Sequence, residues 1–121
     1  MAKHKLSSGV NVLAAACGVA TLPDQAHINA EIKVNREAKA YTVKAFETLG
    51  FKPSASEANF IMVPIGRDTR AFKDACAKHG ILVGRPFPPL TTHSRISIGT
   101  MDEMKKAVDV FKQVLSSAAN Q

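Results

Sequence analysis

With 121 residues, the chain has room for one hydrophobic core, and its apolar and charged fractions are those of a globular protein. No apolar run approaches the roughly 20 residues that a membrane span requires; the longest, from Val10 to Leu22, is alanine-rich and suits a buried helix. The net charge of +6 does not mark a nucleic-acid protein, because basic residues interleave with acids, as in Glu31-Ile32-Lys33 and Lys73-Asp74, and no row of aromatic rings offers stacking to bases. Solvated helix faces explain most of that charge.

The opening Met1-Ala2-Lys3-His4-Lys5 has the basic character of a leader, but Ser7, Ser8, Gly9 and Asn11 interrupt the apolar stretch that follows. Residues 1–10 are therefore read as a disordered or extraneous start. Asn11 to Leu22 reads as a short helix whose small residues (Ala14, Ala15, Ala16, Gly18, Ala20) permit close packing. Pro23 stops it and Asp24 caps the next helix, which runs to Leu49 and closes at Gly50. Ala38, Tyr41, Ala45 and Leu49 recur there at helical spacing, with Phe46 beside them. The first half carries only Ile28, Ile32 and Val34 among charges, a pattern suited to a helix bridging two bodies. Residues 11–50 are accordingly assigned as interdomain helices.

After Gly50 the period changes. Phe51-Lys52-Pro53 suits a short edge strand and Asn59 to Pro64 a buried one. Asp68 caps a helix with Phe72, Ala75, Cys76 and His79 on its buried side, ended by Gly80. Ile81-Leu82-Val83 predicts another strand. Arg85 to Pro89 is a rigid loop, since its prolines exclude helix and ladder alike. Arg95 to Ile98 alternates as a half-buried strand, with Arg95 facing away from Ile96 and Ile98. Thr100 and Glu103 form a capping box ahead of a final helix striped with Met104, Ala107, Val108, Phe111 and Leu115. The expected fold is α/β (α+β): a two-layer sandwich, a small mostly antiparallel sheet with helices on one side, preceded by a long helix. Its expected core joins Ile61, Val63, Leu82, Ile96, Ile98, Phe72, Phe111 and Leu115.

Cys17 and Cys76 lie far apart in helix-like sequence, which points to reduced thiols in the cytoplasm and not to a disulfide framework. His4, His27, His79 and His93 are scattered and predict no metal site. The sequence contains no GxSxG, Walker, HExxH or GxGxxG pattern. Arg85 and Arg95, both near strand ends, are the candidate binding residues. An arginine fixed on a strand presents a planar fork to a carboxylate or phosphate, but residue chemistry alone favours reading each as a solvated edge residue or a structural ion pair.

The run Arg95-Ile96-Ser97-Ile98-Gly99-Thr100-Met101-Asp102-Glu103-Met104, leading into an apolar-striped helix, resembles the closing motif of class I/II, fold-type I pyridoxal-phosphate aminotransferases. The histidinol-phosphate aminotransferase branch is the most similar. Ala58-Asn59-Phe60 and Gly80-Ile81-Leu82-Val83 with Arg85 resemble further segments of that family, as does Asn11-Val12-Leu13-Ala14 with the long helix after it. The resemblance implies that Arg95 binds the substrate's α-carboxylate and that Arg85 faces the substrate and can hold a phosphate, although here Gly84 separates Arg85 from the strand. It implies that residues 51–121 are the small C-terminal domain of a homodimeric enzyme of amino-acid biosynthesis that uses pyridoxal phosphate on an amino-acid substrate. The family's cofactor lysine, in a Ser-Lys context, and its pyridine-pairing aspartate belong to an N-terminal cofactor-binding domain with no counterpart in this sequence. Lys3 and Lys5 lack that context. The chain alone is thus expected to bind no cofactor and to be inactive, with no nucleic-acid or membrane partner. A different class of reading is a free-standing small-anion-binding or regulatory module using the same two arginines.

Overall fold

The computed structural model describes Gly9 and residues 11–117, so the start expected over 1–10 lies almost wholly outside the described residues. The chain divides into two compact units, Met1–Ile32 and Lys33–Gln121.

In the first unit, α1 (Val12–Thr21) begins at Asn11, whose side chain accepts hydrogen bonds from the Leu13 and Ala14 amides at 2.8 and 3.4 Å. The buried helix expected here is not buried: α1 has no buried residue, and Val12, Leu13, Val19 and Leu22 are exposed. Asp24 caps α2 (Gln25–Thr48) through the His27 amide at 3.0 Å.

In the second unit, the rest of α2 buries Ala38, Thr42 and Phe46, one residue per turn. The stripe predicted through Tyr41, Ala45 and Leu49 is its half-buried flank. Thr42 can occupy a core position because its hydroxyl donates to the Ala38 carbonyl at 2.7 Å, leaving only its methyl to pack. Strands β1 (Phe60–Pro64) and β2 (His93–Ser97) pair antiparallel, with Ile61 opposite Ile96, Met62 opposite Arg95 and Val63 opposite Ser94. Alternation sends Ile61, Val63, Ser94 and Ile96 to the core and puts Phe60, Met62 and Arg95 on the other face. Between the strands, α3 (Thr69–Lys78) starts at Asp68, which accepts from the Arg70 amide. It buries Phe72 and Cys76, with Ala75 half-buried, but His79 is exposed at the helix end, contrary to expectation. α4 (Met101–Ser117) buries Met104, Ala107, Val108, Phe111 and Leu115, the whole predicted stripe. Phe111 stacks on Phe46 with centroids 5.3 Å apart and meets Phe72 at 5.8 Å, joining α2, α3 and α4 over the sheet.

The architecture is α/β, with an antiparallel sheet of two strands. Two predicted strands do not form. Phe51-Lys52-Pro53 is irregular, and the segment makes its bond to the sheet one residue later, from the Ser54 amide to the Met62 carbonyl at 2.9 Å. Ile81-Leu82-Val83 is likewise outside the ladder, and Leu82, expected in the core, is 82% exposed. The cause is the end of α3. Gly80, at φ +77°, reverses the chain so that the Ile81 amide bonds back to the Cys76 carbonyl at 3.1 Å. The segment then reaches β2 at the Gly84 amide, which donates to the Arg95 carbonyl at 3.0 Å. Ile81, Val83 and Ile98 pack partly buried against the core.

Candidate functional site

Arg95 lies in the middle of β2, where strand alternation turns its side chain away from the apolar core. Its guanidinium carbon is 5.4 Å from the Phe60 ring centroid and 4.9 Å from that of Phe87. The Arg85 guanidinium carbon is 4.4 Å from the same Phe87 centroid. Two cations thus share one aromatic platform. A guanidinium over a ring face gains about 0.5–2 kcal/mol and keeps its N–H edge free for an acceptor.

The proline loop supplies this platform. Phe87 and Leu90 form an isolated bridge, the Leu90 amide donates to the Phe87 carbonyl at 2.7 Å, and the Pro88–Pro89 peptide is cis. Arg85 is exposed, and its Nη1 reaches the Pro86 carbonyl at 3.5 Å, the limit of a hydrogen bond. Arg95 is half-buried, and its Nε is buried without a hydrogen-bond partner. Among the described residues the ion pairs are Lys105–Asp102 and Lys112–Asp109, both on α4 and exposed, so neither arginine is neutralised by an acid.

Both arginines read from the sequence are therefore brought to one place, with Gly84 between the irregular segment and Arg85. Phe60 entered the sequence reading only within the Ala58-Asn59-Phe60 resemblance, and Phe87 only within the proline loop, neither as a partner of an arginine. Phe60 is diagonal to Arg95 across the strand pair, which is visible only once the register is known. Nothing in a loop of prolines announces where Phe87 will point.

Half-buried Lys39 donates to the Ser56 and Ala58 carbonyls at 2.7 and 3.2 Å, and Lys105 and Lys112 pair with acids on α4. No group of three or more His, Cys, Asp or Glu side chains among the described residues could hold a metal. Both cysteines are free, Cys17 exposed and Cys76 buried, and burial raises the Cys76 thiol to about 11. No described helix is long and apolar enough to cross a membrane.

An antiparallel strand pair backed by helices is the fold expected from the resemblance of the closing motif. A sequence model of the family described as aminotransferase class I and II matches residues 2–111, and the chain belongs to that family. The histidinol-phosphate aminotransferase of Symbiobacterium thermophilum is 38% identical over 108 residues, 88% of this chain and 30% of the relative. That of Moorella thermoacetica is 37% identical over 109 residues, again 88% of this chain and 28% of the relative. The structure of histidinol-phosphate aminotransferase from Sinorhizobium meliloti, solved in complex with pyridoxal-5'-phosphate, matches with a TM-score of 0.79 at 25% identity, over 97% of this chain and 33% of that one. The chain spans less than a third of the length of the two sequence relatives.

Proposed function

We propose that this chain is the C-terminal small domain of a pyridoxal-phosphate-dependent aminotransferase of the histidinol-phosphate aminotransferase kind. Such an enzyme moves an amino group between an amino acid or histidinol phosphate and a 2-oxo acid. In this reading residues 51–121 are the small domain and 11–50 the interdomain helices. The remaining partners are an N-terminal cofactor-binding domain and a second copy of the whole chain, in the cytoplasm. Pyridoxal phosphate supplies the electron sink when bound to the whole enzyme. This chain's own part is to hold and orient the substrate, and it is inactive alone.

The observation that carries the reading is Arg95, fixed on β2 with its guanidinium against Phe60 and Phe87 and with no acid paired to it among the described residues. A fork held in this way meets both oxygens of a carboxylate at once and sets the direction of the amino acid as well as its position. Arg85, which contacts the same Phe87 ring, is assigned to a second anionic group of the substrate, a phosphate or a distal carboxylate.

The test is Arg95→Lys in the full-length enzyme. Lysine keeps the charge and loses the fork, so catalytic efficiency toward an amino acid should fall by about one to two powers of ten. Reaction of the corresponding decarboxylated amine should hardly change. Half-reaction rates for both substrates, in wild type and variant, decide it: equal losses would make Arg95 a structural residue.

A further inference from the structure

We propose that Gly84 and Phe87 are the positioning residues of Arg95, and that together they leave only the Nη end of its guanidinium open to an anion. The inference rests on the carboxylate reading of Arg95 and adds how the fork is held and from which side it is approached.

The first observation is a close approach. A side chain at Gly84 would place its Cβ 2.8 Å from the Arg95 carbonyl oxygen, 3.0 Å from the Arg95 Cβ and 3.3 Å from Nε. The first two atoms belong to the strand or adjoin it and cannot rotate away. The demand at Gly84 is therefore for space beside β2, where its amide bonds to the Arg95 carbonyl. The second observation is that Arg95 Nε is buried and has no acceptor. Gly84 borders that nitrogen, since a Cβ there would stand 3.3 Å from it. A carboxylate cannot take the side-on route, which needs Nε and one Nη, and the two Nη groups remain. The third is the ring of Phe87, which is held three residues after Gly84 by the bridge to Leu90 and carries the guanidinium at 4.9 Å. Pro86 between them, and Pro88 and Pro89 just after the ring, leave the backbone little freedom to compensate. A methyl group at 84 would lift the segment from β2, uncover Nε and move Phe87 from under the fork.

The test uses the 121-residue chain, labelled with nitrogen-15, and follows the arginine side-chain N–H signals by NMR. In wild type the Arg95 Nε–H should exchange with solvent at least about tenfold more slowly than that of exposed Arg85. In Gly84→Ala it should approach the Arg85 rate while the Ile61 and Phe111 amides keep their protection. Phe87→Leu, at a half-buried loop position, should shift the Arg95 signals by removing the ring beneath them, and it decides the question if Gly84→Ala does not fold. Equal exchange of Arg95 and Arg85 in wild type overturns the proposal, as does unaltered Arg95 behaviour in a folded variant. Titration with sodium acetate, against chloride at matched ionic strength, separates this from the carboxylate reading. An Arg95 Nη response larger than that at Nε supports end-on approach, and the reverse overturns it. A protected Nε–H that the substitutions release, with no response to acetate, supports the positioning and counts against the carboxylate reading alone.

Discussion

Phe111 is where three helices meet, and its ring is 1% exposed between Phe46 and Phe72. Truncating it removes most of the aromatic contact under the sheet and leaves a cavity that its neighbours fill only in part. Phe111→Ala should lower stability by about 3–5 kcal/mol, read as a fall in the urea midpoint. An unmoved midpoint would mean that α4 is not part of the core. The two thiols give a second contrast at this scale. Burial holds Cys76 at about 11, so at mildly alkaline pH it stays a protonated, shielded thiol, whereas Cys17 is exposed. Iodoacetamide should label the folded chain at Cys17 and reach Cys76 only after denaturation, as mass spectrometry of the peptides would reveal. Rapid labelling of both in the folded state would contradict the packing of α3.

Among the elements, α4 has the most complete start signal. The Thr100 amide donates to Glu103 Oε2 at 2.8 Å, the Thr100 hydroxyl donates to the same oxygen at 3.0 Å, and the Glu103 amide returns a bond to that hydroxyl at 3.3 Å. Those bonds to Thr100, helped by the charge of Lys106, hold the Glu103 carboxyl below its ordinary value of 4.5. A lowered folded value means that the unfolded chain takes up the proton first on acidification. The cap's contribution is therefore whole above the ordinary value, declines below it and is gone once the pH passes the folded value. Glu103→Ala should flatten the acid limb of melting temperature against pH in that window, with little effect on its slope above it. Parallel acid limbs in variant and wild type would refute the linkage. The end of α3 works in the opposite sense: the turn at Gly80 draws the Ile81 amide into the helix terminus and denies it to the sheet. A run as apolar as Ile81-Leu82-Val83 is thereby kept out of the ladder.

For the whole molecule, the decisive question is whether the chain can hold a cofactor without the rest of an aminotransferase. Its half-buried Lys39 is bound to two backbone carbonyls, and α4 pairs Lys105 and Lys112 with aspartates. Incubation with pyridoxal phosphate and borohydride should leave only sparse labelling spread over several lysines. One stoichiometric adduct at a single lysine would show that the chain contains a cofactor site after all.

Much of this was legible from the residues alone, because the signals are short. Asn11, Asp24, Asp68 and the Thr100–Glu103 pair each bond to amides within three residues, so a cap can be read wherever it stands. The stripe of α4 follows from its own period, the outward side of Arg95 follows from strand alternation, and the closing motif from Arg95 onward pointed to the family. Tertiary structure decided what depends on residues far apart in sequence. It chose Thr42 over Tyr41 for the buried face of α2, because the core accepts a methyl once the hydroxyl is satisfied within the helix. It left Leu82 in solvent, because hydrogen bonding at the end of α3 set the path of the next segment. It also gathered Arg85, Phe87 and Arg95 at one point, through strand register and a close approach at Gly84 that no local pattern of residues encodes.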